Sequence, residues 1–445
     1  IIKAQKFRLA NPITIGLWVG TSLTPNTNEN AVKERKKGNN PFQILSCPWC
    51  QTNLENPLNK EKPTFDGYVI KGFGKKQEVV FECPENRCFF HNKSLPIFVV
   101  DQQLYEVPPT ILIGTVDKFA QLPWKSETRI FFGKENKIKP PSLIIQDELH
   151  LISGPLGSIV GHYEYLIRLL CKSAGFLPKV IASTATITAA DDQVMELYRS
   201  KVNLFPATGL DYGDNYFSFL DKAGKGRLYV GIFASATPSV ITAQRNLLTP
   251  LIIFPSWLFF NDEENFETKK AANDPSKEYK ILKKNIYKEN VDPYGTILWY
   301  FNTLRELGYA SSLIYSDISP YIPNILKRKE IPWAFSRKFF NLKELTSRVS
   351  ESDIASIEKQ LKVPWKPSPD YNDIDKLEVP IDILLATNMV SVGVDIPRLA
   401  LMVITGQPKN TAEYIQASSR VGRGYEGSGL VFTLYNQSRS RDRSH

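Results

Sequence analysis

SLIIQDELHLISGP, residues 142 to 155, decides how the chain is read. Leu143, Ile144 and Ile145 read as a buried strand, and two adjacent carboxylates, Asp147 and Glu148, stand where that strand should end. Acids so placed suit a pair that holds magnesium and activates water for nucleotide hydrolysis, although strand ends also carry solvated acids with no such role. The chain has no G-x-x-x-x-G-K-[ST] to cradle phosphates. GFGKK at 72–76 and AGKGR at 223–227 contain Gly-Lys, but neither has the required spacing or the hydroxyl.

Directly after the acidic loop, Ile159, Val160, Tyr163, Leu166, Ile167 and Leu170 recur at helical spacing. Other apolar runs read as buried strands: ITIGLWVG (13–20), TILIGT (110–115), VIAST (180–184), TILWYF (296–301), DILLAT (382–387), ALMVIT (400–405) and GLVFTLY (429–435). Helical patterns separate several of them, and Asn410 with Glu413 three residues on marks a further helix start, so the expected class is α/β with a parallel sheet. A length of 445 residues exceeds one ordinary core. The expected units are 1–205, with a small insertion at 42–98; an accessory or linker segment at 206–290, charged over 261–290; and 291–445. No internal repeat is visible.

Apolar residues at 42% and charged residues at 23% are the balance of a soluble globular protein. The surplus of 55 basic over 46 acidic residues, +9, is one that many solvated surfaces carry without a polyanion partner. No stretch approaches the roughly 20 apolar residues that span a bilayer; the longest, IIFPSWLFF at 252–260, is short and contains Pro255. The start, IIKAQKFRLA, has neither an initiator Met nor a signal-peptide layout, so a cytoplasmic protein with further residues upstream of Ile1 is expected.

Near the C-terminus, LLATNMVSVGVDIP supplies a strand, a turn in which Gly393 lets backbone approach a ligand, and Asp395. QASSRVGR then carries Gln416, Arg420 and Arg423; on a helix the two arginines, three apart, would share one face and grip one phosphate. Thr184 and Thr186 end the strand VIAST, where hydroxyls also commonly bond their own backbone.

DELH, TAT, ATNMVSVGVDIP and QxxxRxGR stand in the order of motifs II, III, V and VI of the superfamily 2 DExH helicases, which the chain resembles over most of its length outside the insertions. The resemblance implies two RecA-like domains, the first incomplete at its N-terminus, with an inserted zinc-ribbon-like module. It implies that Asp147 holds Mg2+, Glu148 orients the attacking water and His150 couples to motif VI. Thr184 and Thr186 link hydrolysis to domain movement, Arg420 and Arg423 meet the γ-phosphate of ATP with help from Gln416, and Gly393 and Asp395 bind nucleotide, Asp395 at the ribose. Thr115 and Lys118 of TVDKF, with Thr387 and Ser391, would touch the DNA backbone with little regard for base identity. The phosphate-binding loop of that family precedes the strand matching ITIGLWVG, so it is expected upstream of Ile1. FASATPS at 233–239 imitates motif III but lies outside the expected order. QDELHLISGPLGSIVGHYE, GRLYVGIFASATPS and ELTSRVS narrow the resemblance to the helicase subunits of the DISARM phage-defence system, which implies a companion subunit; a repair-associated helicase group that carries its own zinc module is similar too.

Four of the five cysteines fall in two pairs, Cys47 with Cys50 and Cys83 with Cys88. In a cytoplasmic chain this spacing suits a structural, closed zinc site, with His91 close enough to replace Cys88. Cys171 reads as core packing and the terminal SRSRDRSH as a frayed basic end. The expected function is an ATP-driven DNA helicase or translocase; the rival from another class is a nucleic-acid-binding scaffold without turnover.

Overall fold

The computed structural model describes residues 13–54, 67–133, 138–184, 190–261, 291–330, 341–365, 379–387 and 396–444, apart from positions 22, 39, 43, 153, 208, 212, 220, 222, 225, 236–238, 347, 350, 410 and 425–427. The chain divides into two compact units, Ile1–Phe205 and Pro206–His445.

The second unit is built on six parallel strands: β8 (Arg227–Phe233), β9 (Ile297–Phe301), β10 (Leu342–Leu345), β11 (Ile383–Ala386), β12 (Leu401–Thr405) and β13 (Gly429–Tyr435), in the order β10-β11-β9-β12-β13-β8. The inner strands β9, β11 and β12 are buried at every residue, as a sheet covered on both faces requires. Alternation sorts them: Ile297, Trp299 and Phe301 face one core with Leu307, Ile314 and Leu326, while Leu298 and Tyr300 face another with Met402, Ile404 and Ala417. This is the expected α/β class with a parallel sheet. The stretch 227–261, assigned from sequence to an accessory segment, is strand and helix of this unit: β8 pairs with β13 over seven residues. Most of the charged stretch 261–290 and Asn410 lie outside the described residues.

In the first unit, β1 (Ile15–Trp18) lies between β4 (Ile97–Phe98) and β5 (Ile111–Gly114), all parallel. A second parallel pair joins β6 (Leu143–Gln146) to β7 (Lys179–Ala182). Between β1 and β4 the chain forms a helix, α1 (Asn28–Lys36), capped by the Thr27 hydroxyl on the Asn30 amide, and an antiparallel hairpin, β2 (Tyr68–Lys71) with β3 (Glu78–Phe81). Among the described residues, no helix is long and apolar enough to cross a membrane.

The helix expected after the acidic loop is Gly154–Ser173. It buries Glu164, and burial, offset in part by Arg168, pushes that carboxyl from 4.5 up to about 7. One carboxylate oxygen has no hydrogen-bond partner among the described residues. A carboxyl whose pKa is raised by folding opposes folding once ionised, so stability is greatest below pH 4.5, falls as pH rises toward 7 and then levels off. Glu164→Gln is therefore expected to stabilise the protein at pH 8 by about 3 kcal/mol and to flatten the pH dependence between those values. Denaturant melts of both proteins at pH 5 and pH 8 check this; parallel pH dependences would contradict it.

Candidate functional site

Parallel pairing of β6 with β7 ends at Gln146 opposite Ala182, so the loops leaving both strands meet at their carboxyl ends, the usual place for ligands in such sheets. Asp147 Oδ1 accepts from the Ser183 hydroxyl and from the Glu148 amide (2.9 Å). Glu148 has φ 51°, in the left-handed region, a conformation that costs a non-glycine residue on the order of 1 kcal/mol or more. His150 Nδ1 lies 3.3 Å from Thr184 Oγ1 and 3.4 Å from Glu148 Oε2.

The strained turn is held from behind. Leu149 N donates to Ser183 O at 2.9 Å, and Gln193 Nε2 donates to Leu149 O and Ile152 O at 2.9 and 2.8 Å. Leu149 and Ile152 are buried against Val160, Val194 and Leu197. Asp147, Glu148, His150 and Thr184 are thus brought together, while Thr186 lies outside the described residues. Ser183 and Gln193 were not singled out from sequence. Ser183 adjoins the threonines that were, whereas nothing local to Gln193 marks it.

In the second unit Gln416 lies on the helix Thr411–Ser418, but Arg420 and Arg423 do not share a helix face. That helix stops at Ser418, and the chain turns at Gly422, which has φ 65° and donates to Leu399 O at 2.7 Å. A Cβ on Gly422 would stand 2.5 Å from the Gly429 backbone, so only glycine lets the turn pass the start of β13. Arg423 is exposed, its Nε fixed on Ser419 O at 2.8 Å. A third arginine missed from sequence, Arg227 on β8, donates to Val421 O (2.7 Å) and Ser419 O (3.2 Å) and braces the same turn. Gly393, Asp395 and Ser391 lie outside the described residues.

Two expected DNA contacts need correction. Lys118 is 2% exposed, with Nζ 2.6 Å from Asp101 Oδ2 and 5.9 Å from the Trp18 ring centre, so its charge is spent inside the fold. Thr387 is 4% exposed at the end of β11. Of the four expected contacts, Thr115 is the exposed one among the described residues, standing just before the short helix Val116–Phe119 with no cap bond from its hydroxyl to that helix. Lys118→Ala is expected to destabilise the first unit by roughly 3–5 kcal/mol, because Asp101 is left buried and unpaired, and to leave the salt dependence of DNA binding unchanged. Thermal melts and salt titrations separate the two effects.

Cys47, Cys50, Cys83 and Cys88 converge with all four sulfurs within 4.8 Å of one another, Cys47 3.9 Å from Cys88 and Cys50 3.4 Å from Cys83. These separations are too long for disulfides and match the edge of about 3.8 Å in a tetrahedron of zinc–thiolate bonds. Burial pushes the Cys83 and Cys88 thiols up, whereas hydrogen bonding to Thr52 draws Cys50 down to about 6, so a cation claiming all four as thiolates releases protons. His91 Nδ1 donates to Cys83 O at 3.2 Å, and Cys88 stands in the cluster in its stead. Replacing Cys47 and Cys50 by Ser is expected to release about one zinc per chain and to expose the amides of 42–98 to hydrogen exchange ahead of the parallel sheets. Carefully purified wild-type protein without zinc would refute this.

A model of the helicase conserved C-terminal domain matches residues 371–425. The DISARM protein DrmA of Bacillus paralicheniformis is 35% identical over 97% of this chain, and the chain spans 39% of that relative's length. Among solved structures, the DUF1998 helicase MrfA bound to DNA is 15% identical with a TM-score of 0.46, covering 96% of this chain and 42% of that one. Lhr of Mycobacterium smegmatis, bound to ssDNA and AMP-PNP, is 12% identical with a TM-score of 0.41, covering 75% and 32%.

Proposed function

The chain belongs with the helicases related to the DISARM protein DrmA, and from that premise we propose that it works as an ATP-driven DNA helicase or translocase, the motor of an anti-phage defence complex with a companion subunit. The observation that carries the reading is the clamped Asp147–Glu148 turn. A strained acidic residue at the carboxyl end of a parallel strand, with its neighbours Asp147 and Leu149 held by Ser183 and Gln193, is an arrangement that solvation of a strand end does not require.

The donor set suits the proposed ligands: an exposed carboxylate for a hard cation, and in the other unit arginines for phosphate. Mg2+ and ATP, when bound, supply the phosphoanhydride and neutralise part of its charge. Asp147 would hold the cation, its Ser183 and amide bonds keeping the carboxylate oriented. Glu148 would position the attacking water and take its proton, with His150 and Thr184 relaying the change in its charge. Arg420 and Arg423, assisted by Gln416, are the proposed cations for the transferring phosphate, and Gly393 and Asp395 the proposed nucleotide contacts. Thr115 and Ser391 are the proposed DNA contacts, reading phosphate and so indifferent to sequence. The four cysteines would hold a structural zinc with no position left for water.

The test is phosphate release from ATP by the full-length protein with and without single-stranded DNA. Stimulation by DNA is expected. A protein that binds DNA but hydrolyses nothing is a scaffold, and the reading fails.

A further inference from the structure

Two basic stretches that this reading leaves unused, KERKKG at 33–38 and KGFGKK at 71–76, meet on the cysteine module. The β2–β3 hairpin is rooted in the core through Tyr68, Val79 and Phe81, and its strands pair as far as Lys71 with Glu78. Beyond that pair the tip closes on Gly72, with φ 86°, where a Cβ would fall 2.2 Å from Lys76 O. The closed tip holds Phe73 out at 93% exposure. Lys36 Nζ reaches Gln77 Oε1 at 3.2 Å and ties the last turn of α1 to this tip, so that Lys36 joins Lys75 and Lys76 on the segment that carries Phe73.

Of the neighbouring carboxylates, Glu34 is paired by Lys37 at 2.7 Å and Glu82 by Lys71 at 2.5 Å, while Glu78, which accepts from the neutral Gln103 amide at 3.4 Å, keeps its charge but is outnumbered by Lys36, Lys75 and Lys76. The remaining field at the tip is positive. The other residues of the tip are glycine, lysine and glutamine, which give a protein partner little apolar area, whereas a base needs only the one ring face.

We propose that this hairpin tip is a second nucleic-acid contact, in which Phe73 stacks on an unpaired base while Lys75, Lys76 and the end of α1 hold the flanking phosphates. The proposal rests on the reading of the chain as a DNA-handling protein and adds a site that the helicase motifs do not include.

The test is anisotropy of the full-length protein on forked DNA carrying 2-aminopurine in a single-stranded arm. Phe73→Ala is expected to weaken binding about tenfold and to abolish quenching of the probe, and Phe73→Trp to restore both. Lys75→Ala with Lys76→Ala should weaken binding at low salt and lower the slope of log affinity against log salt by about 1.5. These side chains are exposed, so unchanged melting temperatures accompany the expected result. Wild-type binding with unaltered affinity, quenching and slope in both variants overturns the proposal and leaves the helicase reading standing; variants that bind DNA normally but lose the companion subunit overturn it in favour of a protein interface. Wild-type protein that binds no DNA overturns both.

Discussion

Glu148→Gln in the full-length protein is expected to bind ATP and DNA with near wild-type affinity while hydrolysis falls by roughly two to four orders of magnitude. The amide keeps the volume of the side chain and leaves the backbone untouched. The turn should therefore survive, because its geometry depends on bonds made by other groups: the amides of Glu148 and Leu149, the Ser183 hydroxyl and the Gln193 amide. What is lost is a carboxylate able to accept a proton from water, together with the negative charge 3.4 Å from His150 Nδ1. Single-turnover phosphate release, with nucleotide and DNA binding measured in parallel, separates loss of chemistry from loss of fold. Hydrolysis at the wild-type rate would remove Glu148 from the mechanism.

Arg423→Ala is expected to lower turnover by about three orders of magnitude or more, the scale at which an arginine stabilises charge on a transferring phosphate. Arg423 is exposed and its Nε is fixed on Ser419 O, so it is directed rather than free to sample solvent. Its removal breaks the Nε bond to Ser419 O; the main supports, Arg227 on Val421 O and Gly422 on Leu399 O, remain. DNA affinity without nucleotide should therefore change little. Arg423→Lys should recover only part of the rate, because an ammonium cannot keep the Nε anchor while presenting a planar fork. Normal hydrolysis by Arg423→Ala would make this arginine part of a basic turn and no more, and would strengthen the scaffold reading.

Eight strands were legible as apolar runs: β9, β11 and β12, covered on both faces, are apolar throughout, and TILWYF and ALMVIT became β9 and β12 nearly to the residue, whereas β5, β6 and β7, read as buried, leave Ile111, Ile113, Leu143, Ile145 and Ile181 exposed. The edge strands β8 and β10 and the short β2–β3 hairpin carry polar or exposed residues and gave a weaker local signal. The helix after DELH followed from periodicity, and the four cysteines followed from the chemistry of thiolates in pairs.

Other features depend on partners distant in sequence. Whether Lys118 meets solvent or Asp101 is settled by how the helix Val116–Phe119 packs on Asp101–Glu106, and the carboxylate that buries it lies seventeen residues away. Arg420 and Arg423 have helical spacing, yet Gly422 must pass the Gly429 backbone, and that contact ends the helix. Gln193 and Arg227 look ordinary in their own segments and acquire a role only when β7's following helix and β8 bring them to backbone carbonyls of other loops. KGFGKK could be rejected as a phosphate loop from spacing alone, but its link to the basic end of α1, through the Lys36–Gln77 bond, is made by the fold. Periodicity and ligand type are written in neighbouring residues and so are legible along the chain; burial of a charge, the end of a turn and the merging of two surfaces are set by non-local packing, which only the folded chain decides.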